Sequence, residues 1–152
     1  MSTSTRYVHT NLIARDWRSL VSFYEEVFEC VQLLPERDFR GSSLDAATGL
    51  PDAHLTGVHM RLPGYQEAGP TLEIFSYDVL ERRAPPAVNR PGFGHIAFSV
   101  DDVGSARTKV LRAGGRPVGD IVTLQTADGR KVTWCYVTDP EGNVIELQSW
   151  AE

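Results

Sequence analysis

The sequence predicts an α+β protein built from two tandem β-α-β-β-β modules. Two strand-like segments that end the halves of the chain match each other, TLEIFSY at residues 71–77 and VIELQSW at residues 144–150. Each half also opens with a strand-like run that carries a histidine, His9 in the first and His95 in the second. A helical pattern follows each histidine. The two halves therefore agree in the strand that carries the histidine, in the helix that follows and in the final strand that carries the glutamate. This agreement indicates an internal repeat.

The first module is expected over residues 5–78. Residues 6–14 alternate in polarity, which is the period of a strand. Asp16 is a typical helix N-cap, and apolar residues recur at helical spacing for about three turns after it. The remaining strands are expected at 31–34, ended by Pro35, at 55–62 and at 71–77, with loop signals over 38–53.

The second module is expected over residues 93–151, after a proline-rich linker at 79–92. Residues 95–100 predict a strand, and Asp101 or Asp102 would cap the helix that follows. Gly114 and Gly115 would end that helix. The remaining strands are expected within 117–126, at 131–138 and at 144–150. Together the two modules would form a single domain over residues 1–152.

Composition excludes several classes of protein. The chain has 152 residues, 41% of them hydrophobic, which suffices for one domain with a proper core. Its net charge of −5 gives no basic footprint for nucleic acid. No apolar run reaches the roughly 18 residues that span a membrane, and no signal peptide is visible. Cys30 and Cys135 lack a metal-type spacing, which favours a soluble cytoplasmic protein with reduced thiols.

The repeat supplies two histidines and two glutamates that are candidate metal ligands. A glutamate within an apolar strand is significant, because glutamate is almost never fully buried unless it is paired. Two imidazoles and two carboxylates suit one divalent ion per site, such as Zn, Ni, Co, Mn or Fe. A six-coordinate ion would keep two positions open for water or substrate. The four candidates are His9, Glu73, His95 and Glu146.

Alternation along the strands predicts which neighbours share the face of these four residues. A cleft with an aromatic lining and polar anchors would fit a small, partly apolar organic substrate. The predicted substrate-binding residues are Asn11, Phe75, Tyr77, Ser99, Gln148 and Trp150. His59 ranks lower, because its strand could turn it towards the cleft or towards solvent.

Two segments, residues 94–100 and 139–147, together with His9 and its following helix, resemble the vicinal oxygen chelate superfamily. That family holds glyoxalase I, methylmalonyl-CoA epimerase, extradiol dioxygenases, fosfomycin-resistance enzymes and bleomycin-binding proteins. The resemblance covers nearly the whole chain and implies that curved mixed sheets enclose one cleft. It implies the same four metal ligands. It also implies a homodimer, whose modules pair within one chain or are exchanged between chains.

A His-Glu-His-Glu set is similar to that of glyoxalase I-like and epimerase-like members, whereas dioxygenases generally use three ligands. The resemblance therefore implies a divalent-metal-dependent lyase or isomerase acting on a small oxygenated substrate. Metal-stabilised enediolate or enolate proton transfer would use Glu146 as the first choice of base and Glu73 from the opposite face. The alternatives are an extradiol-type dioxygenase, in which Glu73 would be an extra ligand, and a non-catalytic small-molecule binding or resistance protein. Residues 38–56, an extra stretch of the first module, would form a wall or a lid over the cleft.

Overall fold

The computed structural model of the chain describes residues 4–151. These residues form two units, and the division between them lies after Arg82. The first unit contains a four-stranded sheet and the second a five-stranded sheet, and both sheets are mixed. The predicted α+β class with two tandem β-α-β-β-β modules is confirmed.

The first unit follows the predicted order with one additional helix. Its strand order is β1-β4-β3-β2, in which β1 is parallel to β4 and the other pairs are antiparallel. Its elements are β1 (His9–Ile13), α1 (Trp17–Phe28), β2 (Val31–Arg40), α2 (Ser42–Thr48), β3 (His54–Arg61) and β4 (Thr71–Tyr77).

Strand β2 and helix α2 differ from the prediction. The strand does not stop at Pro35 but continues to Arg40. Proline is tolerated because β2 is an edge strand, and its register with β3 shifts between Leu33 and Arg37. The short helix α2 lies within the segment predicted as a loop, where the Asp45 carboxylate accepts from backbone N–H groups that precede β3.

Helix α1 forms where the sequence predicts it and covers one face of the first sheet. The Asp16 carboxylate accepts from the backbone N–H of Ser19 at 3.1 Å, as a helix N-cap does. The helix packs against β4, where Leu72 and Ile74 are buried. Because side chains alternate along a strand, Glu73 lies on the opposite face of the sheet. The buried face of α1 consists of Trp17, Leu20, Val21, Phe23, Tyr24 and Phe28.

The second unit repeats this arrangement with a shorter helix. Its strand order is β5-β9-β8-β6, and β7 also pairs with β8. The strand predicted within 117–126 is divided into two short strands. The elements are β5 (Ile96–Ser99), α3 (Val103–Arg112), β6 (Arg116–Pro117), β7 (Val122–Gln125), β8 (Lys131–Thr138) and β9 (Val144–Ala151).

Helix α3 packs against β8 and β9, so it covers the second sheet as α1 covers the first. Of the two candidate caps, Asp102 accepts from the backbone N–H of Ser105 at 2.6 Å. Ile145 and Leu147 are fully buried on β9. Glu146 between them therefore lies on the face away from the helix.

The register of the parallel strand pairs shows that the two units are true repeats. In the first unit Thr10 pairs with Leu72, and in the second Ile96 pairs with Ile145. In both units the histidine lies one residue before the paired residue of the first strand. The glutamate lies one residue after the paired residue of the last strand. Within residues 4–151, no helix is long and apolar enough to cross a membrane.

Candidate functional site

Glu73 and His9 lie side by side in the first unit. The central strand β4 carries Glu73, and the neighbouring parallel strand β1 begins with His9. The Nε2 atom of His9 is 3.2 Å from Oε2 of Glu73. Glu73 is only 8% exposed, so its carboxylate needs polar partners.

Two further side chains contact the same carboxylate. Asn11 donates from Nδ2 to Oε2 of Glu73 at 3.1 Å. His59 on β3 pairs directly across from Glu73, and its Nε2 is 3.1 Å from Oε1. From the sequence alone, His59 had a low rank. Alternation along one strand does not show that His59 lies beside Glu73, because this depends on the register between β3 and β4.

His95 and Glu146 form the equivalent pair in the second unit. His95 directly precedes β5, and Glu146 lies on the neighbouring strand β9. The Nε2 atom of His95 is 3.0 Å from Oε2 of Glu146. The Glu146 side chain is 20% exposed, against 10% for the Glu73 side chain.

The two pairs share their register but differ in their neighbours. Tyr136 pairs across from Glu146 where His59 pairs across from Glu73. Likewise Ala97 pairs with Glu146 where Asn11 pairs with Glu73. The first carboxylate therefore has more polar contacts than the second.

The donor atoms of both pairs fit ligation of a divalent metal ion. Two ligand atoms bound at right angles, each about 2.1 Å from an ion, are about 3.0 Å apart. The separations of 3.2 Å and 3.0 Å within the pairs match that value. Imidazole and carboxylate also suit the divalent transition metals. Each pair supplies only two donors, and within residues 4–151 no three or more His, Cys, Asp or Glu side chains form a metal-binding group.

Charge at His59 is set by its surroundings. Burial lowers the pKa of His59, although the carboxylate of Glu73 acts in the opposite direction. The ring of His59 is also 5.6 Å from the ring of Phe75, in a T-shaped arrangement. These surroundings favour the neutral imidazole beside Glu73.

The predicted substrate-binding residues have different surroundings. In the first unit Asn11 contacts Glu73, Phe75 is 7% exposed, and Tyr77 is half-buried at the end of β4. In the second unit Ser99 is exposed on β5. Their role in substrate binding remains a prediction.

Gln148 and Trp150 lie on β9 beyond Glu146. The indole Nε1 of Trp150 donates to Oε1 of Gln148 at 3.0 Å. The guanidinium of Arg130 lies 4.7 Å from the centre of the Trp150 ring, close enough for a cation–π interaction. Both predicted residues therefore belong to one polar and aromatic surface next to the second His–Glu pair.

Two aromatic residues of β8 extend the same face and were missed in the sequence. Tyr136 and Trp134 pair across from Glu146 and Gln148. The ring of Tyr136 is 5.0 Å from His95 and also 5.0 Å from Trp134. Alternation along residues 131–138, where Cys135 is buried, is the signal that could have found them.

One comparison with known proteins identifies a family. A family model described as Glyoxalase/Bleomycin resistance protein/Dioxygenase superfamily matches residues 6–147. No curated protein matched the sequence.

Solved structures share the fold at low sequence identity. A glyoxalase family protein from Bacillus cereus is 19% identical, with a TM-score of 0.82 over 99% of this chain and 97% of that one. A glyoxalase/bleomycin resistance protein/dioxygenase domain from Frankia sp. EAN1pec is 17% identical, with a TM-score of 0.63 over 98% and 100%. The trypanothione-dependent glyoxalase I of Leishmania major is 22% identical, with a TM-score of 0.63 over 96% and 87%.

Proposed function

This chain belongs to the glyoxalase/bleomycin resistance protein/dioxygenase superfamily, and on that premise we propose that it is a divalent-metal-dependent lyase or isomerase. Its substrate would be a small oxygenated molecule that carries a proton on the carbon next to a carbonyl group. Its metal ligands would be His9, Glu73, His95 and Glu146.

The repeated His–Glu pair is the observation that supports this proposal. After a duplication, the need to keep the sheets packed would by itself preserve only the apolar core positions of the two copies. The pairs lie on the opposite face from the helices, where packing does not require a histidine beside a glutamate. Both copies nevertheless keep nitrogen and oxygen donors at separations of 3.2 Å and 3.0 Å.

The surroundings of the two carboxylates support Glu146 as the base. When bound, a divalent ion would polarise a substrate carbonyl and so ease loss of the neighbouring proton. Glu146 has Oε2 beside His95, which leaves Oε1 to accept that proton and return it to the adjacent carbon. Glu73 has contacts at both oxygens and is more buried, which suits a fixed ligand.

Uptake of solvent deuterium by three classes of carbonyl compound tests the proposal. Protein loaded with each candidate metal would be incubated in D₂O with 2-hydroxy thioesters, 2-methyl thioesters and hemithioacetals of 2-oxoaldehydes. We expect NMR to show exchange of the proton next to the carbonyl, and we expect a chelator to abolish it. Compounds that bind to the metal-loaded protein without any exchange would contradict lyase or isomerase chemistry.

A non-catalytic binding protein is the second candidate, and the aromatic face of the second unit favours it. Tyr136 and Trp134 form an edge-to-face pair beside His95, a surface suited to planar ligands. Equilibrium binding of a planar aromatic compound would distinguish the two functions. Affinity that is unchanged by a chelator, without turnover, would support the binding protein.

Assembly into a homodimer completes the proposal. Members of the superfamily often form dimers. The two His–Glu pairs of one chain, or one pair from each of two chains, would then form the metal site.

A further inference from the structure

His59 has no counterpart in the repeated metal-ligand set, yet it contacts Glu73. We propose that His59 is a positioning residue, which holds Oε1 of Glu73 so that Oε2 stays beside His9 as a metal ligand. The inference rests on the proposed function, because it assigns His59 a task at the same site.

The contacts of Glu73 are divided between its two oxygens. His9 and Asn11 approach Oε2, at 3.2 Å and 3.1 Å. His59 approaches Oε1 at 3.1 Å. The ring centres of His9 and His59 are 6.3 Å apart, so the two imidazoles contact different oxygens of one carboxylate. A carboxylate held in this way is fixed in rotation about its last side-chain bond.

The geometry places a proton on Nε2 of His59. A charged imidazole carries protons on both ring nitrogens, and a neutral imidazole carries one, on either Nδ1 or Nε2. Lone pairs on both Nε2 and the carboxylate oxygen would repel each other at 3.1 Å. We therefore place the proton of His59 on Nε2, facing Glu73. An imidazole that directs its proton at a ligand carboxylate orients that ligand without binding the metal itself.

Packing around His59 restricts its movement. Its side chain is 26% exposed, and the ring of Phe75 contacts it in a T-shaped arrangement. Phe75 occupies space that a side chain at residue 57 would need, because a Cβ built on Gly57 would lie 2.1 Å from Cδ1 of Phe75. Gly57 thus allows Phe75 to pack beside His59.

The second unit provides an internal comparison. Tyr136 occupies the place of His59 across from Glu146, and the Glu146 side chain is twice as exposed as that of Glu73, at 20% against 10%. A positioning histidine therefore accompanies the buried carboxylate, and the more exposed one lies across from a tyrosine.

Zinc affinity of the full-length protein, measured by competition with a chelating dye, tests the role of His59. We expect His59→Leu to weaken zinc binding on the order of 10- to 100-fold, as loss of a partner to a metal ligand does. His59→Gln, which retains an N–H donor near the position of Nε2, should restore affinity to within a few fold of wild type. Equal affinity of His59→Leu and wild type would overturn the proposal, and so would a failure of glutamine to restore binding.

A matched control separates this effect from a general loss of structure. His54 lies on the same strand and also contacts a carboxylate, with Nε2 2.7 Å from Oδ1 of Asp38. His54→Leu should leave zinc affinity unchanged. An equal loss in the His54 and His59 variants would mean that strand β3 is merely perturbed, which contradicts a positioning role.

NMR of the imidazole nitrogens supplies a readout that needs no metal. In metal-free protein we expect the proton of His59 on Nε2, and a changed Nε2 shift in Glu73→Ala. In zinc-loaded protein Nε2 should keep its proton, whereas a metal-bound Nε2 would make His59 a ligand and overturn the proposal. If wild type bound none of Zn, Ni, Co, Mn and Fe, the proposed function would fail, and the metal-free spectra would still decide whether His59 holds Glu73.

Discussion

Glu73 and Glu146 occupy the same position in the repeat, yet their different neighbours support different proposed roles. Glu73 is largely buried and contacts His9, His59 and Asn11. Glu146 contacts His95 and is more exposed. Residue by residue, the first carboxylate suits a fixed ligand and the second suits a base that exchanges protons with a substrate.

Replacement of each glutamate by glutamine tests this division of roles. An amide oxygen can still ligate a metal, but it cannot accept a proton at neutral pH. Glu146→Gln should therefore keep the metal and lower proton-exchange turnover by about 10²- to 10⁴-fold. Glu73→Gln should chiefly weaken metal affinity, because its amide NH₂ would face the N–H group of either Asn11 or His59. Full turnover with full metal content in both variants would refute the role of either residue as a base.

The buried thiols predict a dependence of stability on alkaline pH. Burial raises the pKa of Cys30 from an ordinary value of 9.0 to about 12. Between these values the folded state binds more protons than the unfolded state. The stability contribution is thus complete below pH 9 and is lost as the pH rises towards about 12, by at most about 1.4 kcal/mol per pH unit.

Chemical denaturation between pH 8 and pH 11 of wild type and Cys30→Ala measures this effect. The stability of wild type relative to the variant should fall as the pH rises. A difference that stays constant across the range would show that the Cys30 thiol is not protected. Cys135, the other free and buried thiol, is present in both proteins and cancels in the comparison.

At the scale of elements, strand β3 must pass close to β4 without a side chain at residue 57. A Cβ there would lie 2.2 Å from the backbone oxygen of Ile74 as well as against Phe75. Gly57→Ala should therefore destabilise the protein by about 1–3 kcal/mol, as overpacking of a core does. Urea denaturation would measure the change.

Gly119→Ala is the matched control for Gly57→Ala. A Cβ on Gly119 would meet nothing within 4 Å. We expect that variant to lie within about 0.5 kcal/mol of wild type. Equal stability of the two variants would show that the close approach of β3 to β4 is not required.

Local pattern predicted most elements, and long-range pairing explains the exceptions. The N-cap and approximate length of helix α1 and the bounds of strand β4 were predicted correctly, because periodicity and capping are encoded nearby in the sequence. Strand β2 was cut short at Pro35, since the sequence does not reveal which strand lies at an edge. His59 was undervalued for a related reason, because only the pairing of β3 with β4 sets it across from Glu73.

At the scale of the whole molecule, duplication explains why the sequence was informative about the candidate site. Each copy is an independent record of the same histidine and glutamate, so their agreement marked all four residues. Features present in one copy only, such as His59 and helix α2, have no such second record. Substrate identity would depend on residues that differ between the copies, and agreement between the copies does not mark such residues.

The homodimer is a prediction at the same scale. The chain mass is 16.9 kDa. Sedimentation equilibrium should give twice that mass at micromolar concentration. A monomer that nevertheless binds metal and catalyses proton exchange would show that one chain supplies the complete site.

Metal content is the most direct test of the central claim that four side chains ligate one ion. Purified protein would be incubated in turn with Zn, Ni, Co, Mn and Fe, freed of excess metal, and measured by elemental analysis beside His9→Ala and His95→Ala. We predict one ion per chain in wild type and loss of nearly all of it in either variant. Wild type that retains no divalent ion would contradict the account, as would variants that each keep half of the metal.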